Sequence, residues 1–383
     1  MLIGIDGNEA NIKERVGVNV WAWEILREMY KKVQEGTGKY KKARIIIYLS
    51  KPPMEDLPVE TGNWKYRVIG PGKFWTRWRL PLDLYLHKPR PDVFLSLSHY
   101  APKWSPVPRV VCVMDLSFLK YPEAFKPAVL WQLVNWTRES VKNADRVITI
   151  SEFNKKEIIR NYGVSEDKIA VVYPGVSEIF KEEGRRKKEE GILFIRKKYG
   201  ISSSYLLFVG TLQPKKNLPR LIEAFKIVRK RFPDVELVVA GKIWQQFVAE
   251  KFAKPLLKRE VSQTSQVKYL GYVQEKDLPG LYAGAEALIL PSLYEGFGIP
   301  AAEAMSIGTL VVASNAASLP EVVGDAGILF DPLDIKDMVQ KIEMALSMDK
   351  VQRQKLIKIG MIRAKKFNWN TAAGKIIDVL YER

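Results

Sequence analysis

Cysteine and histidine are scarce in this sequence: one cysteine, Cys112, and two histidines among 383 residues. A single cysteine excludes an intramolecular disulfide, so a reducing cytosol is the expected setting. Cys112 lies in the apolar run Val110-Val111-Cys112-Val113 and reads as a small core residue. With so few imidazoles and thiols, and no Asp-x-Asp, a metal cluster is not expected. No Ser-His-Asp set can be assembled either. Long apolar runs are also missing. No stretch approaches the length of a membrane span, and Met1 leads directly into the strand-like Leu2-Ile3-Gly4-Ile5. Neither a signal peptide nor a membrane anchor is therefore expected.

Positive charge, in contrast, is plentiful. Lys and Arg number 61 against 43 Asp and Glu, a formal net charge of +18. Nucleic acid, an anionic membrane surface or a phosphorylated substrate would each suit such a surface, as would plain solvation. The basic residues are scattered apart from Arg185-Arg186-Lys187-Lys188 and Arg196-Lys197-Lys198. No nucleic-acid-binding motif accompanies them, so no nucleic-acid partner is expected. The segment Phe74-Trp75-Thr76-Arg77-Trp78-Arg79-Leu80 mixes aromatics with arginines as interfacial segments do. A peripheral membrane contact at the inner face follows as one reading; an aromatic loop packed on its own core is the other.

Short β-branched runs alternate with helical patterns throughout. Strands are expected at 2–6, 45–49, 92–97, 110–114, 146–150 and 169–173, then at 205–209, 235–240, 267–270, 287–290, 309–313 and 327–330. Most are continuous apolar runs, the mark of strands covered on both faces by helices. The alternation predicts an α/β protein of two Rossmann-like, doubly wound parallel-sheet domains with a cleft between them. The segment 177–204, rich in Glu, Lys, Arg and Ser, reads as the linker, with a short helix. A helix is expected near 351–366 and a last one over 371–381, with Asn370 as its N-cap.

In such sheets ligands bind beyond the carboxyl ends of the strands. The most informative segment there is 288–303. A buried strand ends, a loop holds Glu295, Gly296, Phe297, Gly298 and Ile299, and a helix begins with Pro300 in its first position. The glycines let backbone approach a ligand closely, and the N–H groups of 297–299 with the helix dipole form an anion site. Glu295 and Glu303 can accept hydrogen bonds from sugar hydroxyls; helix capping and solvation are the alternative. A second strand–loop–helix unit, 208–218, carries Gly210, Lys215 and Lys216 where a phosphate would meet Lys216; a solvated basic turn is the alternative. In the first half, Gly17 stands at a helix entry and can present backbone N–H to a diphosphate, or serve only a tight turn.

Taken together these segments resemble glycosyltransferase family 4, the retaining GT-B enzymes, over nearly the whole chain. Glu295 and Glu303 match that family's Glu-x7-Glu signature, and 210–218 looks like its phosphate-binding lysine loop. Ile150-Ser151-Glu152-Phe153, Val172-Tyr173-Pro174-Gly175-Val176 and Ser318-Leu319-Pro320-Glu321-Val322 match its habitual phrases in its order. The resemblance implies an acceptor-binding domain of 1–176, completed by a C-terminal helix at 370–383, and a nucleotide-sugar-binding domain of 177–369. It implies that Glu303 holds the ribose and Glu295 the donor sugar, that Gly17, Lys216 and the 297–299 backbone hold the diphosphate, and that Gly210, Lys215 and Gly296 belong to the nucleotide-sugar site. Two departures stand out. Thr211 occupies the place of the Arg that often follows the lysine-loop glycine, so Lys215 substitutes for it. Met114-Asp115 replaces the usual His-Asp. Asp115 joins Glu295 and Lys216 as a catalytic candidate, and His99 and Met114 are candidates for contact with the donor sugar or acceptor.

The implied reaction is metal-independent and cofactor-free transfer of a hexosyl or 6-deoxyhexosyl group from a nucleotide-sugar such as GDP-mannose, UDP-glucose or dTDP-rhamnose. The acceptor is a glycan or a lipid-linked glycan in cell-surface polysaccharide synthesis. An inactive nucleotide-sugar-binding scaffold and a GT-B epimerase are the alternatives.

Overall fold

A computed structural model describes residues 1–36, 40, 42–182, 188–241 and 266–382. Arg185, Arg186 and Lys187 of the first basic cluster lie outside the described residues. The chain divides into two units: unit 1 comprises Met1–Leu116, Ala128–Gly175 and Asn368–Arg383, and unit 2 comprises Ser117–Pro127 and Val176–Phe367. Residues 117–127, inside the range expected for the first domain, thus group with unit 2.

Unit 1 holds a seven-stranded parallel sheet of β1 (Leu2–Asp6), β2 (Arg44–Leu49), β3 (Trp64–Val68), β4 (Val93–Ser96), β5 (Arg109–Val113), β6 (Arg146–Thr149) and β7 (Ile169–Val171). Their spatial order is β3-β2-β1-β4-β5-β6-β7. Ile5 of β1 stands beside Ile47 on one side and Leu95 on the other. Every residue of β1 is buried, which is why it appears as an unbroken apolar run closing on a single carboxylate. β3 was not expected. It lies at the sheet edge, with Trp64 buried and Lys65 and Val68 exposed.

Unit 2 holds a six-stranded parallel sheet of β8 (Tyr205–Val209), β9 (Glu236–Ala240), β10 (Val267–Gly271), β11 (Ala287–Leu290), β12 (Val311–Ser314) and β13 (Ile328–Phe330), ordered β10-β9-β8-β11-β12-β13. Its core packs Phe208, Val239, Ile289 and Val312 from the sheet against Leu221, Phe225 and Ile342 from covering helices. Around the expected linker stand helices Glu178–Glu182 and Lys188–Tyr199.

The strand order reverses at β1/β4 in unit 1 and at β8/β11 in unit 2. Chain leaving the two strands at a reversal runs to opposite sides and opens a crevice at their carboxyl ends. The loops after β1 and β4, and those after β8 and β11, therefore flank the two switch points.

The last helix, Trp369–Tyr381, is capped by Asn368 rather than Asn370: the Asn368 side chain accepts from the N–H groups of Asn370 and Thr371. It packs in unit 1 against helix Val18–Glu35, where Trp369 meets Trp21 edge to face at 5.8 Å.

Candidate functional site

The unit 2 switch point brings together residues far apart in sequence. After β8 the chain makes a tight turn at Pro214–Lys216, and Asn217 enters the left-handed region at φ 58° to open helix Leu218–Val228. Its side chain holds that conformation by donating to the Pro332 carbonyl at 2.8 Å and accepting from Arg220 at 2.9 Å. This aims Lys216 across the switch point. Its Nζ meets Glu295 Oε1 at 2.5 Å, with each side chain about a tenth exposed. The Ser292 hydroxyl donates to the same oxygen at 2.8 Å. The loops are also tied through backbone, Leu293 N–H to the Lys215 carbonyl at 2.8 Å. Lys216 and Glu295 are thus an ion pair in the described state, an arrangement their spacing of 79 residues did not announce.

The 291–298 loop is fastened from below. Ser318 donates to the carbonyls of Glu295 (3.0 Å) and Phe297 (2.9 Å), and Ser314 to that of Ser292 (2.5 Å). Phe297 is buried edge to face on Phe367 at 5.0 Å. Gly298 caps helix Ile299–Ile307 at φ 99°, a conformation that favours glycine. Having no side chain, it gives the helix no side-chain cap; Pro300 has no N–H and the Ala301 N–H is spent on the Gly298 carbonyl at 2.9 Å, so an anion at this helix start would face the Ile299 N–H. Pro300 falls at the second helical position. Glu303 follows on this helix and accepts from the Tyr282 hydroxyl at 2.7 Å. Burial pushes its pKa up from 4.5 to about 7, with Glu275 adding to the rise and the tyrosine bond opposing it.

Gly210 has no side chain to shield Lys216, whose Cε and Nζ would lie 3.7 and 3.8 Å from a Cβ there. Its own carbonyl presses on Gly241, where a Cβ would fall 1.8 Å from that oxygen. Gly241 directly follows β9, and a glycine in that place after a buried strand is the signal that marks it. Lys215 turns to Ser117, donating to Oγ at 3.0 Å, and lies over the Tyr294 ring at 5.8 Å. Tyr121 meets the same ring edge to face at 6.4 Å.

The remaining candidates belong to unit 1. Gly17 caps helix Val18–Glu35 at φ 54°, and a Cβ there would meet nothing within 4 Å. Open space therefore lies before this helix entry. Beside it stands a group that sequence reasoning missed. Asp6, at the end of β1, accepts from Trp75 Nε1 at 3.0 Å and from Asn8, and burial raises its pKa. Glu9 accepts from Asn19 Nδ2 at 2.6 Å and is pushed up to about 7 by burial and then by Asp6. Tyr100, after β4, is raised by burial and by Glu9. His99 adjoins Tyr100, with ring centroids 6.4 Å apart. Met114 is 8% exposed, and its carbonyl accepts from the buried Asn154 amide at 2.5 Å. It therefore occupies core space at the end of β5, with Asp115, half-buried, next to it. Among the described residues no group of three or more His, Cys, Asp or Glu could hold a metal ion.

The model of the Glycosyltransferase Family 4 matches residues 36–178, and that of Glycosyl transferases group 1 matches residues 191–361. The O-antigen chain mannosyltransferase B of Escherichia coli is 33% identical over 269 residues, 69% of this chain and 68% of that protein. The serotype-specific mannosyltransferase WbdA of Escherichia coli is 30% identical over 241 residues, 62% of this chain but only 29% of WbdA. Among solved structures, Anabaena HepE in complex with UDP and glucose superposes with a TM-score of 0.73 at 19% identity, covering 100% of this chain and 99% of that one. The sucrose-phosphate synthase from Thermosynechococcus elongatus gives 0.72 at 17%, covering 100% and 98%. At such identities these two likenesses show the fold.

Proposed function

The chain belongs to glycosyltransferase family 4, the glycosyl transferases of group 1, and from that premise we propose that it transfers a mannosyl group from GDP-mannose, with retention, to a growing cell-surface glycan. The relatives named as mannosyltransferases support the sugar, which favours this donor over UDP-glucose or dTDP-rhamnose. The observation that carries the reading is the Lys216–Glu295 ion pair, which joins the loop after β8 to the loop after β11, the loop that leads into the helix bearing Glu303.

In this reading Glu303 accepts hydrogen bonds from the ribose hydroxyls, as a carboxylate does best when ionised. The diphosphate lies against the N–H groups of 297–299 and draws Lys216 from Glu295, which then accepts from a hydroxyl of the sugar. As the bond from C1 to the diphosphate oxygen breaks, negative charge grows on that oxygen. A lysine and backbone dipoles fixed in advance stabilise it more than they stabilise the bound donor. Lys215 and Lys216 supply cations at this position, so the transfer needs no divalent metal. Unit 1 receives the acceptor at its own switch point, where Glu9, Asn19 and Tyr100 offer polar partners for sugar hydroxyls. His99 and Asp115 stand on neighbouring loops.

The test is a donor panel with purified protein. GDP-mannose should be hydrolysed or consumed with EDTA present, and the product linkage should keep the donor's anomeric configuration by NMR. Turnover of UDP-glucose or dTDP-rhamnose with GDP-mannose inert would overturn the sugar assignment. Loss of activity in EDTA with recovery in magnesium would overturn the metal-free reading.

A further inference from the structure

Unit 1 carries a helix with apolar side chains on two faces. A π-helical turn, Trp75–Arg79, runs into α-helix Leu80–Leu86. One face is spent on the core: Trp75, Leu80 and Leu84 pack with Tyr48 and Phe94. The other points to solvent. Trp78 (55% exposed), Leu82 (51%), Tyr85 (45%) and Leu86 (74%) recur at the spacing of one helical stripe. Phe74 and Trp104 extend it, at 59% and 47% exposure. Trp78 and Trp104 hold each other edge to face at 5.5 Å, so the outward aromatics form a fixed patch rather than loose side chains. A contiguous stripe of large apolar groups facing water marks an interaction surface.

Charge says what covers it. From 70 to 91 the chain has six basic residues counting His87, and one carboxylate, Asp83. Asp83 is buried and neutralised by Arg67 at 2.8 Å, with His87 2.9 Å away. Glu139, the nearby acid, is taken by Arg77 and Lys103. The exposed rim is left with Lys73, Arg79, Lys88 and Arg90. Lys73 Nζ sits over the Phe74 ring at 5.6 Å and Lys103 Nζ over Trp104 at 5.2 Å, which places ammonium groups at the level of the aromatic rings. Rings that enter the acyl boundary beside cations that stay among phosphates is the geometry of an interfacial helix. A protein partner for so basic a rim would need an acidic face. A second copy of this chain, at +18, would bring like charge overall.

We propose that the outward face of Trp75–Leu86, with Phe74 and Trp104, seats unit 1 on an anionic lipid surface. The helix lies in the plane of the headgroups, its apolar stripe inward and Lys73, Arg79, Lys88 and Arg90 at the phosphates. The surface is independent of the sugar assignment above and is read without transfer activity.

The experiment is co-sedimentation of the full chain with vesicles of phosphatidylcholine alone or mixed with phosphatidylglycerol. Binding should require phosphatidylglycerol and weaken as salt rises. Lys73→Gln with Arg79→Gln should lower the partition constant about fivefold for each charge removed. Leu82→Ser with Leu86→Ser should lower it at least tenfold with an unchanged melting temperature. Leu86→Cys carrying an environment-sensitive dye should shift to the blue on these vesicles, because the one native thiol, Cys112, is buried. Equal binding to pure phosphatidylcholine, or undiminished binding of the Leu82/Leu86 variant, would overturn the proposal. So would a dimer in sedimentation equilibrium that Leu86→Ser disperses.

Discussion

At the scale of single residues, the ion pair between Lys216 and Glu295 governs what substitution there will do. Both side chains are nearly withdrawn from water, so removing one leaves the other's charge poorly compensated. Breaking such a pair costs on the order of 3 kcal/mol, whereas removing both partners costs much less. Lys216→Met should therefore lower the melting temperature as well as turnover, and Glu295→Gln added to it should restore much of the stability but none of the activity. A double-mutant cycle by chemical denaturation reads the coupling; additive losses would count against a coupled pair. Glu303 supplies a dependence on pH. Its folded pKa of about 7 stands above the ordinary 4.5, so an unfolded chain releases this proton first as pH rises. Its contribution favours the folded state only below about 4.5, is lost through the interval to 7, and stays at a cost of roughly 3 kcal/mol above it. Glu303→Gln should be more stable than wild type near pH 8, with the gain gone near pH 4 in thermal melts. The same variant should lose the rise in nucleotide affinity that the wild type shows by calorimetry as Glu303 ionises between about pH 6 and 8. A flat wild-type affinity across that interval would remove the ionised carboxylate from nucleotide binding.

At the scale of elements, what could be read in advance follows from what each element buries. Strands such as Leu2–Asp6 and Ala287–Leu290 are covered on both faces, so their burial is written into consecutive letters. Trp64–Val68 escaped because an edge strand buries one face over a few residues and interleaves Lys65 and Arg67. The loops with Glu295 and Lys216 were legible because glycine, proline and charge cluster after a buried strand. Their pairing was not, since the β8/β11 contact joins residues 79 positions apart. Glu9 and Asn19 were missed for the same reason: neither is distinctive until their hydrogen bond ties the loop after β1 to the start of helix Val18–Glu35. Met114 stood out by the histidine it replaces, and its side chain is buried at the end of β5. The final helix was foreseen but its cap was not, because Asn368 and Asn370 are equally suited by type. Asn368 alone bonds the first-turn N–H groups. Asn368→Ala should thus cost about 1 kcal/mol and Asn370→Ala much less, as read by urea unfolding followed on unit 1. The reverse order would place the cap at Asn370.

At the scale of the whole chain, unit 1 is assembled from three stretches of sequence and unit 2 from two. The last stretch of unit 1 is the helix that covers Val18–Glu35 and shields Trp21 through Trp369. Deleting Asn368–Arg383 should uncover that apolar face and lower the calorimetric transition of unit 1, while unit 2 still melts as in the full chain. A truncated chain with an unaltered unit 1 transition would show that the helix is dispensable.

The same interrupted layout sets an order of events during synthesis. Domains usually fold from the amino end as they leave the ribosome. Here an early segment waits for a late one: β1 and helix Val18–Glu35 lack the cover of Asn368–Arg383 until that segment emerges. Unit 2 has its whole sequence available as soon as Phe367 is free, so it completes first. Until then a nascent unit 1 lacks the cover that Trp369 gives Trp21. That surface stays open to solvent until the final helix emerges.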